Sequence, residues 1–138
     1  MSRIQLALNV SDLDDAIGFY STLFGTPPRK VRPGYANFAI AEPPLKLVLV
    51  EGEGSGGSIN HLGVEVDSTD DVAASINEIQ AAGLPADVRT AELCCHAVQD
   101  KVWTAGPDGE RWEVYTVLQD ESEPAAGDDG LPLATACC

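Results

Sequence analysis

Two kinds of hydrophobic spacing alternate along the chain, and the same alternation occurs twice. Apolar residues stand at every second position in segments 6–10 and 62–66, a period typical of a β-strand with one buried face. Apolar residues at helical spacing follow each segment and end before Gly25 in the first case and before Gly83 in the second. The pattern therefore predicts a strand followed by a helix in each half of the chain.

Short polar turns between these strands and helices contain residues that commonly cap a helix N-terminus. Ser11 with Asp14 precedes the first helix, and Ser68 with Asp71 precedes the second. The serine hydroxyl in such a turn can accept a hydrogen bond from a backbone N–H group of the first helical turn. We expect the two helices to begin at these serines.

Extended segments broken by Pro and Gly follow each helix. In chain order they are 31–34, 35–40, 45–51, 85–90, 101–104 and 111–118, the first and fourth being weaker candidates. Each half of the chain is therefore predicted to have the order βαβββ.

The two halves also match each other, because segment 5–11 falls on segment 61–67 with apolar residues at corresponding positions. The predicted fold class is α+β, with a single domain formed by residues 1–119. Within it we expect one βαβββ module at residues 1–51 and a second at residues 59–119. A flexible glycine-rich linker, residues 52–58, joins them.

Composition narrows the choice of partners and compartment. With 138 residues, of which 44% are hydrophobic, the chain can form one domain with a core. The net charge of −14 would repel nucleic acid and anionic membranes, and we expect neither as a partner. The N-terminus lacks the pattern of a signal peptide, no apolar run is long enough to cross a membrane, and a cytoplasmic location is predicted. Segment 120–138 has no Lys or Arg and is predicted to be a disordered acidic tail.

Three residues form a candidate metal site. Gln5 and His61 occupy equivalent positions on the polar side of the two repeated strands, so the pairing of the modules should bring them together. Glu113 lies in an apolar strand, where a carboxylate needs a partner such as a metal. An amide, an imidazole and a carboxylate resemble the facial triad of non-haem Fe(II) oxygenases with one His replaced. Alternatively, His61 is an ordinary hydrogen-bonded residue and Gln5 caps a sheet edge.

The adjacent thiols of Cys94 and Cys95 form a candidate soft-element site. Neighbouring cysteines form only a strained disulfide ring, and thiolates prefer soft partners. A trivalent arsenic with one carbon substituent has two exchangeable positions, which two thiolates would fill. The alternative is a pair of buried free cysteines that pack as small hydrophobes. Cys137 and Cys138 form a second adjacent pair in the tail.

Two further residues near the thiols have several possible roles. Lys101 is by default a solvated surface charge, and a second hypothesis has it move with a loop to close the site. His96 is a ligand, a proton carrier or an exposed residue, and the sequence does not choose among these.

Taken together, the motifs resemble the vicinal oxygen chelate superfamily and, within it, the group of organoarsenical carbon–arsenic lyases and cadmium-induced proteins. The resemblance implies Fe(II) bound by Gln5, His61 and Glu113, with Cys94 and Cys95 holding a trivalent methyl- or aryl-arsenical for O2-dependent carbon–arsenic cleavage. Relatives tend to carry an aromatic residue where this chain has His96, which affects loop closure and substrate preference. The motifs occupy segments 3–10, 33–40, 44–49, 60–65, 99–103 and 111–115.

Two classes of function compete at this point. One is an Fe(II)-dependent dioxygenase that detoxifies organoarsenicals, and the other is a protein that sequesters cadmium or arsenic on its thiols without turnover. A glyoxalase-type isomerase is a weaker third choice, since that chemistry uses a fuller ligand set. The oligomeric state is left open, a homodimer being one possibility.

Overall fold

A computed structural model describes residues 2–94 and 96–120, except for the side chain of Cys94. The elements, in chain order, are β1 (Arg3–Val10), α1 (Leu13–Phe24), β2 (Lys30–Arg32), β3 (Tyr35–Ile40), β4 (Leu45–Glu51), β5 (Ile59–Glu65), α2 (Thr69–Ala81), β6 (Asp87–Cys94), β7 (Ala97–Ala105) and β8 (Arg111–Asp120). This order confirms the prediction of two successive βαβββ units. Neither described helix is both long and apolar enough to cross a membrane.

The end of β8 differs from the predicted start of the tail. Asp120 is the last residue of β8 and pairs with Arg29 and Lys30, whereas the composition of the segment placed it in the tail. The rest of the predicted tail, including Cys137 and Cys138, lies outside the described residues.

The eight strands form one mixed sheet in the order β2-β3-β4-β1-β5-β8-β7-β6. The two units meet where β1 and β5 pair antiparallel, and each of these strands pairs on its other side with a parallel partner, β4 or β8. The register is symmetric, because Gln5 lies opposite Gly63 and Ala7 lies opposite His61. The repeat seen in the sequence therefore places equivalent positions of the two units side by side.

Of the two serines predicted to cap a helix, one does so in the structure. Ser68 caps α2, since its hydroxyl accepts from the backbone N–H of Asp71 at 3.2 Å. The prediction that Ser11 caps the first helix is wrong: Asp12 is the cap and accepts from the Asp15 N–H at 2.9 Å. Glu51 on β4 accepts from the Leu13 N–H at 2.7 Å, so a tertiary contact occupies a donor of the first turn.

Both faces of the sheet are covered, although the alternating pattern predicted only one buried face. The apolar side of β1 and β4 packs against α1. The opposite side is at least as well buried, with Gln5 4% and Asn9 6% exposed. The sheet curves, so that Lys30 on the outer strand β2 contacts Asp120 at the end of β8. This curvature encloses the polar side chains of the central strands in the concave interior.

Candidate metal and thiol site

The three predicted ligands meet in the concave interior, near the junction of the two units. His61 Nε2 lies 2.9 Å from Glu113 Oε2, and Gln5 Nε2 lies 3.1 Å from His61 Nε2 and 3.4 Å from Glu113 Oε2. All three side chains are buried. Gln5 belongs to a central strand of the sheet, so the alternative in which it caps a sheet edge is wrong.

The distance between His61 and Glu113 suits two donors of one metal. Donors bound in cis positions to one octahedral metal at about 2.1 Å are about 3.0 Å apart, close to the 2.9 Å between His61 Nε2 and Glu113 Oε2. Gln5 presents its amide nitrogen to the triangle that the three side chains form, so it could act as a metal donor only with the amide turned over. The described residues contain no group of three or more His, Cys, Asp and Glu side chains that could hold a metal. The set therefore depends on the amide of Gln5 as its third donor. In the sheet, Ala7 of the first unit pairs with Val48, and its equivalent Gly63 of the second unit pairs with Glu113. Val48 is therefore the first unit's equivalent of Glu113, and only the second unit supplies a carboxylate.

A chain of polar groups fixes the ring of His61. Asn9 Oδ1 accepts from Asn60 Nδ2 at 2.9 Å, which leaves Asn60 Oδ1 to face His61 Nδ1 at 2.8 Å. An amide oxygen in this position can accept a hydrogen bond from Nδ1, and it orients the ring so that Nε2 faces the triangle. The edge of the Trp103 ring system packs against the imidazole with centroids 5.3 Å apart. The orientation of His61 is therefore set by the fold.

Glu113 is held as an anion by two neighbours. Burial raises its pKa, but the contacts with His61 and Lys101 outweigh burial and hold the pKa below the ordinary value. Lys101 Nζ lies 2.9 Å from Glu113 Oε1, while Oε2 faces His61. The expectation that Lys101 is solvated is wrong, since it is 1% exposed and lies within β7 rather than in a loop.

Gln5 is oriented by Tyr115. The Tyr115 hydroxyl donates to Gln5 Oε1 at 2.6 Å, and burial raises the pKa of Tyr115 well above its ordinary value, so the donor proton is retained. A half-turn of the amide would place Oε1 in the triangle and let Nε2 donate to the same hydroxyl. Gln5 can therefore offer either amide atom without losing its hydrogen bond to Tyr115.

Gly63 leaves the space in which the three side chains meet. A Cβ at this position would lie 3.1 Å from Gln5 Nε2 and 3.1 Å from Glu113 Cγ. We predict that Gly63→Ala weakens metal binding about tenfold or more while the protein still folds, because both ligands must shift to make room. Gly18→Ala is the matched control, since nothing lies within 4 Å of a Cβ there. Equal Fe(II) affinities of the two variants, measured by competition with a coloured chelator, would contradict the prediction.

The backbone next to the predicted thiol pair is held by residues of both units. Cys94 is the last residue of β6 and pairs with Ala97 of β7, while Cys95 lies outside the described residues. His96 has a backbone φ of 65° and is 7% exposed, so the alternative that it is exposed is wrong. Its ring lies 5.2 Å from the ring of Tyr35, and its carbonyl accepts from Lys30 Nζ at 3.0 Å. Lys30 and Tyr35 of the first unit thus hold His96, the residue that follows the predicted thiol pair.

Sequence reasoning missed the groups that support the ligands. Asn60 and Tyr115 carried usable signals, because Asn60 precedes His61 directly and Tyr115 shares a strand face with Glu113 two positions away. Asn9 is a polar residue at an inward position of a buried strand. Residues of this kind can be identified by searching for the hydrogen-bond partner that each buried polar group requires.

The sequence profile of the Glyoxalase/Bleomycin resistance protein/Dioxygenase superfamily matches residues 3–114. The chain belongs to this superfamily. The resemblance inferred from the motifs is thereby confirmed, and so is the fold class. The fold is similar to that of the Mn(II)-bound glyoxalase from Novosphingobium aromaticivorans, with a TM-score of 0.64, 23% identity and coverage of 96% of this chain and 46% of that chain.

Relatives that match the whole chain include a cadmium-induced protein and an organoarsenical cleaving enzyme. The chain is 57% identical to the cadmium-induced protein CadI of Mycobacterium tuberculosis and covers 93% of that protein. It is 55% identical to the trivalent organoarsenical cleaving enzyme of Thermomonospora curvata and covers 89% of that protein. One relative is thus named for its induction and the other for an activity.

Proposed function

We propose that the protein is an Fe(II)- and O2-dependent enzyme that cleaves the carbon–arsenic bond of trivalent methyl- or aryl-arsenicals and releases arsenite. The observation that carries the proposal is the buried triangle of Gln5, His61 and Glu113. The similarity to the organoarsenical cleaving enzyme of Thermomonospora curvata supports the same activity. A cytoplasmic location fits a role in detoxification.

The reaction balances with one molecule of O2 for a methyl substrate. For a phenyl substrate it balances with one O2 and one water, and the products are arsenous acid and a dihydroxybenzene. Dihydroxymethylarsine, CH3As(OH)2, and O2 together contain the atoms of arsenous acid, As(OH)3, and formaldehyde. The carbon–arsenic bond breaks, an oxygen atom becomes bound to each partner, the carbon is oxidised and O2 is reduced. Arsenic remains trivalent, so it can stay on thiolates until hydrolysis releases it.

Gln5, His61 and Glu113 would hold the metal, which when bound supplies the activation of O2. The rest of the chemistry belongs to the protein. Lys101 neutralises the outer oxygen of Glu113, and Asn60 orients the ring of His61. The enclosed concave interior limits the access of water, which strengthens these electrostatic contacts.

Cys94 and Cys95 would bind the arsenic and bring its organic group to the metal. Holding the arsenical on the protein in this way would replace a collision by a reaction between groups already positioned. Lys30 would act as a positioning residue, since its amine holds the carbonyl of His96, the residue that follows the thiol pair.

Sequestration without turnover is the second candidate, favoured by the similarity to the mycobacterial cadmium-induced protein. Binding of Cd(II) or arsenic to thiols would gain nothing from Gln5, His61 and Glu113, which are buried residues of other strands. The metal triangle therefore favours the enzyme.

The decisive experiment supplies each reactant in turn. Protein purified without O2 is loaded with Fe(II), mixed with a trivalent methylarsenical and then exposed to O2. We expect arsenite and formaldehyde in equal amounts, repeated over many turnovers. Tight binding of the arsenical with no product, in protein that holds one Fe(II) per chain, would instead identify a sequestering protein.

A further inference from the structure

A cavity beside the metal triangle is lined by several basic residues, although the protein as a whole is acidic. It has a volume of about 240 Å³. Of the eight Lys and Arg residues in a chain of net charge −14, four line this cavity, with two carboxylates. The charged lining residues are Arg3, Arg29, Lys30, Lys46, Glu65 and Asp120.

The two carboxylates in the lining are already paired. Arg3 binds Glu65 through both carboxylate oxygens, at 3.0 and 3.3 Å. Asp120 pairs with Arg29 and Lys30. Three of the four basic residues are therefore paired closely with the two carboxylates. The fourth basic residue has no carboxylate at such a short distance.

Lys46 is that fourth cation. Its side chain is 11% exposed, and the nearest carboxylate oxygen among the described residues, on Glu65, is 3.9 Å away. Its amine lies 5.1 Å from the centre of the Tyr115 ring. Glu65 lies closer to Arg3, at 3.0 Å, than to Lys46. An anion that entered the cavity could therefore supply the close countercharge that Lys46 lacks.

The cavity adjoins both parts of the proposed active site. On one side, Glu65 Oε1 lies 3.3 Å from the Tyr115 hydroxyl, which in turn contacts Gln5. On the other side the wall includes Ala97, the residue that pairs with Cys94. The cavity therefore lies between the residues that contact the triangle and the strand β7 that pairs with the backbone of Cys94.

We propose that this cavity binds an anionic oxygen group, and that the group is a carboxylate or similar anion on the organic part of the arsenical substrate. The inference rests on the proposed function for the source of the anion. The volume is below the range of about 300–1,000 Å³ typical of sites for whole ligands, so it suits a substituent. A charge-assisted hydrogen bond from a buried amine would select substrates that carry such a group.

The test compares two substrates that differ only in the anion. The values of kcat/KM are measured for a trivalent phenylarsenical and for its 4-carboxy derivative. We expect the wild type to prefer the carboxylate about tenfold or more, and Lys46→Met to lose that preference. Arg89→Met is the matched control, because it removes the same charge from an exposed residue of β6 and should keep the preference.

A binding measurement separates this inference from the proposed reaction. Benzoate and, in a separate arm, inorganic phosphate are titrated into the full-length protein by calorimetry, with and without the Lys46→Met change. Benzoate binding that requires Lys46 supports the anion site even if neither arsenical is turned over. Turnover of both arsenicals at equal kcat/KM, with no benzoate binding to the wild type, overturns the inference and leaves the proposed function intact. Binding of phosphate alone, without a substrate preference, overturns the assignment to a substrate group and identifies a free oxyanion as the ligand.

Discussion

Replacement of Glu113 by Gln is expected to abolish Fe(II) binding and turnover. The substitution removes the only carboxylate of the triangle and keeps the shape of the side chain. The loss should exceed the 10- to 100-fold that is typical when an outer hydrogen-bond partner of a metal ligand is removed. Fe(II) content and arsenite formation are the two measurements.

The same change leaves the Lys101 amine buried without its countercharge. Breaking a buried pair in this way costs about 3–5 kcal/mol, so loss of metal could be confused with loss of the fold. The double variant Glu113→Gln with Lys101→Met removes both charges and should recover much of the thermal stability. It should not recover Fe(II) binding. Glu78→Gln on the exposed side of α2 is the matched control and should behave like the wild type. Full metal content and turnover in the Glu113→Gln protein would end the hypothesis of the triangle.

The other two ligands should differ in their effect. His61→Ala is expected to abolish turnover as Glu113→Gln does, whereas Gln5→Ala should weaken metal binding less. A neutral amide contributes less to the binding of a divalent metal than an imidazole or a carboxylate.

Cys94→Ser with Cys95→Ser is expected to eliminate tight binding of the trivalent arsenical and turnover together, while Fe(II) binding survives. A hydroxyl is a hard, weak donor to a soft centre, so we expect the affinity to fall at least about 100-fold, equivalent to about 2.8 kcal/mol. Serine is close in size to cysteine, and the turn between β6 and β7 should be retained. Arsenical affinity, Fe(II) stoichiometry and product formation are measured on the same preparation.

Cys137→Ser with Cys138→Ser is the matched control for the thiol variant, because it removes an equal number of thiols from the segment predicted to be a tail. This control should turn over substrate like the wild type. Normal arsenite release by the Cys94/Cys95 variant would refute capture by these thiols. Loss of Fe(II) from that variant would mean that the thiols belong to the metal site.

The sequence by itself determined the order of the elements and the pairing of the two units. Strand and helix periods are local properties, and the match of segment 5–11 with segment 61–67 makes Gln5 and His61 equivalent positions of the repeat. Glu113 was found because a carboxylate in an apolar strand needs a partner. These are inferences from single segments or from a repeat, and they require no knowledge of how the sheet curves.

The tertiary structure alone decided what surrounds those residues. Curvature of the sheet buried the polar side of β1, which the alternating pattern left exposed, and the pairing of β7 with β8 set Lys101 against Glu113. The same curvature gathered four basic residues from distant positions of the chain around one cavity. Asp12 displaced Ser11 as the cap because a contact from β4 reaches the first turn of α1. In each case the stabilising free energy comes from burial and polar contacts between segments far apart in the chain. The periodicity of a single segment does not reveal such contacts.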